Sequence, residues 1–150
     1  MTPQEFIAKW KPANLSERSA AQQHFLDLCD LLGQPKPAAA DPEGAWYTFE
    51  RGVHKIGGGE GWADVWYKGH FAWEYKRKRR NLLEAYQQLL LYRENLDNPP
   101  LLVVSDLDRF ASMRTRTAYQ ASVSWCRAPA RCCLKGVARD CFHWKRGKPP

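Results

Sequence analysis

Residues 63–76 read ADVWYKGHFAWEYK, in which two stretches rich in β-forming residues flank a Lys-Gly-His turn. This arrangement predicts a β-hairpin. A three-residue loop at residues 68–70 would put Asp64 opposite Glu74, and Lys76 would then lie on the same side of the sheet. A two-residue loop would send the two acids to opposite faces. The spacing therefore predicts the odd-length loop, or a bulge that has the same effect.

Two carboxylates and an amine at one edge of a hairpin are the groups needed for metal-dependent cleavage of a phosphodiester. Hard oxygen ligands hold Mg²⁺, and an ammonium group can orient or activate the attacking water. The alternative is a half-buried hairpin whose charges simply face water, because this spacing of acids also arises by chance. The Trp and Val residues of the strands favour a functional site, since charges among apolar residues need a reason to be there.

The rest of the chain predicts the element order αβββαβ. Apolar spacing, caps and β-forming runs predict helices at residues 2–10, 16–32 and 81–94, and strands at 46–49, 62–67, 71–75 and 101–104. The last strand, LLVV, is continuously apolar, as in a strand that is covered on both faces. Ser16 is the expected N-cap of the second helix, and residues 34–44 are expected to form a Pro/Ala loop. The fold class is therefore α/β, with a mixed central sheet flanked by helices.

The positive charge of the chain belongs to its last quarter. The 150 residues carry a net charge of +7. Residues 1–110 hold 14 Lys and Arg against 15 Asp and Glu, whereas residues 111–150 hold 9 against 1. Four of the five cysteines also lie in this tail. The basic pI therefore gives no support to a nucleic-acid role for residues 1–110. The sequence shows no membrane span or secretory leader, so a cytoplasmic location is expected.

The element order and the motif residues together resemble those of a known nuclease family. The predicted element order resembles the PD-(D/E)xK nuclease fold in its RecB-like branch, and the matching motif residues are Asp64, Glu74, Lys76, Gln88 and Tyr92. More narrowly, residues 1–110 resemble the N-terminal endonuclease domain of MmeI-like enzymes. Those are type II restriction-modification proteins that also contain a DNA adenine methyltransferase and a target-recognition domain. Ala63 stands where the motif has its proline. This departure makes the motif harder to recognise but removes no group that takes part in the chemistry.

The resemblance implies a role for each motif residue. Asp64 and Glu74 would bind Mg²⁺, and Lys76 would position or activate water. Gln88 and Tyr92, four residues apart on one helical face, would brace the site and the DNA backbone.

The sequence leaves open whether further residues bind the metal. His24 lies where some RecB-like nucleases place an additional ligand, although a helix histidine bonded to a neighbour is an equal alternative. Glu17 and Glu50 are weaker candidates for a further carboxylate.

The four residues that follow Lys76 extend the basic run: Arg77, Lys78, Arg79 and Arg80. Because this run leads directly out of the catalytic strand, it is expected to contact DNA phosphates, which gives affinity that depends on salt and not on sequence. The alternative is a solvated strand end.

Two other motifs do not carry the chemistry that they suggest. Asn98-Pro99-Pro100 looks like an amino-methyltransferase motif, but it lacks the aromatic residue and the Gly-rich loop, so no S-adenosylmethionine site is expected. The cysteines of the tail match no zinc spacing and are expected to be free thiols. The resemblance stops after Phe110, which suggests that residues 111–150 are out-of-frame and poorly ordered. A basic DNA-binding tail is the alternative.

The sequence thus favours the Mg²⁺-dependent DNA endonuclease module of a restriction-modification protein, truncated, and inactive or unspecific by itself. DNA is the expected partner, and a second copy is a candidate partner for double-strand cleavage. The alternatives are a catalytically silent fragment that binds DNA or another partner, and a RecB-like or Holliday-junction nuclease.

Overall fold

The computed structural model describes residues 1–13, 17–54, 58–114 and 123–127, and it places the side chains of all of these except 17–19, 114 and 123–127. The predicted N-cap Ser16 and most of the basic tail lie outside the described residues. The side chains of Glu17 and of the tail cysteines lie outside them as well.

Four α-helices and six strands make up the described part of the chain. The helices are α1 (Pro3–Trp10), α2 (Glu17–Leu32), α3 (Pro37–Ala40) and α4 (Leu82–Tyr92), with a 3-10 turn at Glu94–Leu96. The strands are β1 (Tyr47–His54), β2 (Glu60–Tyr67), β3 (Phe71–Tyr75), β4 (Leu101–Ser105), β5 (Arg109–Arg114) and β6 (Val123–Arg127). The predicted αβββαβ order is confirmed, and the short helix α3 replaces part of the predicted loop at residues 34–44.

Local sequence sets several of the helix ends. Thr2 caps α1 in a capping box with Glu5, in which each side chain accepts a hydrogen bond from the other residue's backbone N–H. Asn81 caps α4 by accepting from the N–H of Leu83. Gly33 follows α2 with a φ of +62°, the left-handed geometry that ends many helices and suits glycine.

The six strands form one mixed sheet in the order β1-β2-β3-β4-β5-β6. β3 and β4 are parallel because α4 carries the chain between them, and every other neighbouring pair is antiparallel. β4 is buried along its whole length, as its apolar run predicts. The sheet therefore has the mixed character that the sequence predicted.

Helices cover both faces of this sheet and create two separate cores. On one face, α1 and α2 pack over aromatic residues of β3 that include Phe71, Trp73 and Tyr75. On the other face, α4 packs over a smaller core that includes Trp66 and Leu102. Strand β3 runs between the two cores, so side chains that alternate along it enter opposite layers.

A short strand crosses the predicted boundary at residue 110, which stays a prediction. β5 runs across that boundary to Arg114 and pairs with β4 in full register. Ala111 and Met113 of this strand are buried, and β6 adds a further pair beyond it. The charge composition of the tail concealed this short strand. The proposal that the tail is translated out of frame remains untested, because residues 115–122 and 128–150 lie outside the described part.

The turn between β4 and β5 is organised around the buried carboxylate of Asp106. Its oxygens accept hydrogen bonds from the backbone N–H groups of Arg79, Asp108 and Arg109, and from the guanidinium of Arg109. Asp106 is 1% exposed, so each of these donors replaces water that the charge has lost.

Replacing Asp106 with Asn should lower the free energy of unfolding by about 3 kcal/mol, because the guanidinium of Arg109 and several N–H groups lose a charged acceptor. Chemical denaturation measures this change. Asp108→Asn is the control, since Asp108 is half exposed and makes a surface ion pair with Lys78. Equal losses in the two variants would contradict the role of Asp106.

Among the described residues, no helix is both long and apolar enough to cross a membrane.

Candidate functional site

The predicted turn of the β2–β3 hairpin is confirmed. Tyr67 pairs with Phe71, which leaves three residues, 68–70, in the loop. Gly69 has a φ of +71°, the position that a type II turn gives to glycine. Continued along the strands, this register puts Asp64 opposite Glu74, as the sequence predicted.

Two hydrogen bonds hold Asp64, Glu74 and Lys76 in one part of the sheet. The carboxylate of Asp64 accepts from the backbone N–H of Tyr75, with Oδ2 and N 2.6 Å apart. Lys76 Nζ donates to Glu74 Oε1 over 2.7 Å, and the Glu74 side chain is almost fully buried. Tyr75 thus lies between the two charged residues and links them to Asp64 on the neighbouring strand. The three predicted catalytic residues come together at the end of β3.

The ladder between β1 and β2 is interrupted where Asp64 lies. Phe49 pairs with Val65 and Arg51 pairs with Ala63, but no pair forms between Glu50 and Asp64. Glu50 has a φ of +51°, which is uncommon for a residue other than glycine. Its side chain accepts a hydrogen bond from Gln22 of α2.

The interruption also changes the face that β2 presents. Val65 packs in the core below α1 and α2, whereas Ala63 packs in the core below α4. A local break of this kind re-aims one side chain out of the regular alternation. Asp64 is the residue at the break, and it turns toward β3.

Gln88 and Tyr92 lie on α4, the helix that covers the site strands from one side. Tyr92 is buried against Gly61 of β2, where a side chain on Gly61 would come within 2.7 Å of the tyrosine ring. Only glycine allows the helix to approach β2 this closely. Gln88 is half-buried one turn earlier on the same helix. Their predicted roles toward DNA remain predictions.

His24 lies in the opposite layer, within the aromatic core below α1 and α2. Its ring makes edge contacts with Phe6, Trp10 and Tyr75, and its Nδ1 is 2.9 Å from the hydroxyl of Tyr75. Burial lowers the pKa of His24 to about 3. This environment favours a packing role over the metal-ligand role that the resemblance implies, because His24 meets the site only through Tyr75.

The basic run forms a turn directly after β3, and its members differ in what they contact. Lys78 Nζ donates to the backbone carbonyls of Trp10 and Lys11 and forms an ion pair with Asp108. Lys78 is therefore committed to holding α1, and it is a poor candidate for phosphate contact.

The arginines of this turn point outward. The structure shows three exposed ones: Arg77, Arg79 and Arg80. The backbone N–H of Arg79 is held by Asp106, and the carbonyl of Arg80 accepts from Arg109. These contacts fix the shape of the turn and leave it as the candidate DNA-contacting surface.

Sequence reasoning missed Tyr75, Asp106 and Arg109. Tyr75 was the unspecified residue of the Glu-x-Lys motif, although it makes the link to Asp64. Asp106 stands in a Ser-Asp-Leu-Asp run, which is a recognisable turn signal, and Arg109 follows it directly. Asp106 and Arg109 hydrogen-bond to the backbone of the basic turn, some 27 residues earlier in the chain, and no local sequence pattern predicts these contacts.

Among the described residues, no group of three His, Cys, Asp or Glu side chains lies close enough to hold a metal ion. The donor pair that the sequence predicts, Asp64 and Glu74, lies on adjacent strands and stays a prediction. A pair of carboxylates completed by water is a common arrangement for Mg²⁺, which keeps several of its waters when bound to protein.

Comparison with known proteins bears on the fold. No protein-family model and no curated protein matches the chain. The cryo-electron microscopy structure of a DrdV–DNA complex is similar, with a TM-score of 0.55 at 15% sequence identity. The match covers 99% of this chain and 14% of that one. At such identity the likeness establishes the fold alone, which is the restriction-endonuclease-like αβββαβ core that the sequence predicted.

Proposed function

We propose that this chain is a Mg²⁺-dependent DNA endonuclease module of the type found in restriction-modification proteins, with an MmeI-like arrangement. The observation that carries the proposal is the placement of Asp64, Glu74 and Lys76 on and beside two paired strands, with Asp64 bonded to the backbone of Tyr75 and Lys76 bonded to Glu74. The restriction-endonuclease-like fold supports it, because nucleases of the family that the sequence resembles have this fold. Sequence specificity would come from parts of the enzyme other than this module.

The residues fit a hard divalent cation and a hydrolytic reaction. Asp64 and Glu74 would hold Mg²⁺ through carboxylate oxygens. When bound, the ion supplies Lewis-acid polarisation of the phosphate. Lys76 is held by Glu74 at the same edge, where its ammonium can orient a water molecule toward the phosphorus. Gln88 would contact the DNA backbone from α4, and the buried Tyr92 would brace the site through Gly61 of β2.

Plasmid nicking tests the proposal. The purified protein should convert supercoiled plasmid to the nicked form with Mg²⁺ and should not do so with EDTA, without preference for a particular sequence. No nicking at any Mg²⁺ concentration would refute an autonomous nuclease. Salt-sensitive DNA binding without cleavage would support the catalytically silent alternative. Preference for branched over linear DNA would favour the Holliday-junction alternative.

The exposed arginines of the basic turn give a second prediction. Arg77→Ala and Arg80→Ala should each weaken DNA binding and reduce the slope of log K against log salt by about 1, because each removes one phosphate contact. Fluorescence anisotropy at several salt concentrations measures the slope. Lys36→Ala is the control, since Lys36 is paired with Asp30 at the end of α2. Unchanged slopes in both arginine variants would remove the basic turn from the DNA interface.

A further inference from the structure

Arg51 of β1 carries a positive charge that no acidic side chain of the described residues neutralises. The ion pairs of the described part of the chain involve other cations: Lys9, Lys36, Lys68, Lys76, Lys78 and Arg109. Arg51 is nevertheless half-buried. A cation that has lost part of its water needs a compensating partner, and an aromatic ring supplies only part of that compensation.

This ring belongs to Trp66 of β2. The guanidinium of Arg51 lies over it, with Cζ 4.5 Å from the ring centroid. Trp66 is buried, and its indole N–H donates to the carbonyl of Leu96 over 3.0 Å, so the ring has a fixed position. A contact with a ring leaves the N–H donors of the guanidinium for another acceptor. Arg51 is therefore held in place with donors that suit the paired oxygens of a phosphate.

Arg51 faces the α4 side of the sheet. It pairs with Ala63 of β2, and both Ala63 and Trp66 pack in the core below α4. The neighbouring acid, Glu50, is directed to the other layer, because its side chain accepts a hydrogen bond from Gln22 of α2. A carboxylate on the opposite face is poorly placed to repel an anion at Arg51.

Glu74 of the proposed metal site faces the same side as Arg51. Trp73 and Tyr75, which flank Glu74 on β3, pack below α1 and α2, so the side chain between them is directed toward α4. Arg51 pairs with the residue before Asp64, and only β2 separates its strand from β3. Two strand spacings correspond to about 10 Å, the rise of about three nucleotides along one DNA strand. A DNA strand with one phosphate at Glu74 can therefore place a nearby phosphate at Arg51.

We propose that Arg51 binds a phosphate of the DNA strand close to the phosphate that is cleaved. This inference rests on the proposed function and gives the path of the DNA across the protein. The basic turn lies on the other side of Glu74, since the backbone N–H of Arg79 bonds to Asp106 after β4. The DNA backbone thus crosses the strands, from Arg51 on β1 over the metal site to the basic turn.

Fluorescence anisotropy with a labelled DNA duplex at several salt concentrations tests this assignment. Arg51→Gln should weaken binding roughly 10-fold and reduce the slope of log K against log salt by about 1, because it removes one charged phosphate contact. Gln keeps a planar amide beside Trp66. Arg51→Lys should keep the slope, since the charge remains, but should recover only part of the affinity, because an ammonium lacks the forked donor pair.

Controls separate this inference from the nuclease proposal. Lys68→Gln removes one positive charge from the same hairpin, where Lys68 pairs with Asp97, and should leave affinity and slope unchanged. Thermal melting of Arg51→Gln checks that the sheet is intact. A loss of affinity with an unchanged slope would show that Arg51 only packs on Trp66, which overturns the proposal.

Two further outcomes also count against the assignment of Arg51. Wild-type affinity in Arg51→Lys would show that no forked contact forms. If the wild-type protein nicks plasmid and Arg51→Gln binds DNA as the wild type does, the assignment of Arg51 fails and the nuclease proposal stands. If the wild-type protein neither nicks nor binds DNA, both proposals fail.

Discussion

Asp64→Asn should reduce Mg²⁺-dependent nicking of plasmid by about three orders of magnitude. Carboxylate ligation of the metal contributes several kcal/mol to the transition state, and each 1.36 kcal/mol is tenfold in rate. Asn keeps a side-chain oxygen that can accept from the N–H of Tyr75, so the hairpin should remain folded. Initial nicking rates at saturating Mg²⁺ measure the effect, and calorimetric titration with Mg²⁺ should show weakened binding.

Lys76→Ala should lose activity to a similar degree while retaining more of the affinity for Mg²⁺, because Lys76 would act on water and not as a ligand. Lys68→Ala and Glu84→Gln are matched controls, since they remove one charge of each sign from exposed positions on the hairpin and on α4. Wild-type nicking by Asp64→Asn would show that the observed activity does not come from this site.

Acidification should destabilise the protein through His24. The unfolded histidine binds a proton near pH 6.5, whereas burial holds the native pKa at about 3, with a smaller opposing contribution from Asp27 and a smaller lowering one from Lys78. Its contribution to stability is therefore full above pH 6.5 and is lost as the pH falls toward 3. The loss would approach about 5 kcal/mol at the acid limit, by linkage between the two pKa values.

Denaturant unfolding between pH 7 and pH 4 measures this dependence. Other carboxylates also titrate in this window, so the comparison with His24→Phe isolates the histidine. The variant should show a flatter profile because its side chain does not titrate, whereas His54→Asn, an exposed position on β1, should follow the wild type. Parallel profiles for wild type and His24→Phe would show that His24 is not the group responsible.

Sequence periodicity was sufficient where neighbours along the chain decide the structure. The three-residue loop around Gly69 follows from the two-residue period of strands together with the need for a left-handed turn residue. The burial of residues 101–104 follows from an unbroken apolar run. These local signals predicted the class of fold and the position of Asp64 opposite Glu74.

Other features depend on contacts between distant parts of the chain. The ladder beside Asp64 is broken at Glu50, which has a positive φ. A glutamate in the sequence does not predict this left-handed backbone conformation. His24 was placed on its helix correctly, but its surroundings come from rings of α1, β3 and β5. β5 was missed because the charge of the tail obscured the two buried positions that follow Phe110 in this strand, Ala111 and Met113.

Lys78 ties together three segments that are far apart in sequence, since it bonds the carbonyls at the end of α1 and pairs with Asp108 in the β4–β5 turn. These segments should therefore open as one cooperative unit, with the amides of residues 6–11 and 106–109 exchanging hydrogen at a shared free energy. Fraying of the first helix would then release the arginine turn as well, so the amino-terminal residues would govern how often the shape of this turn is intact.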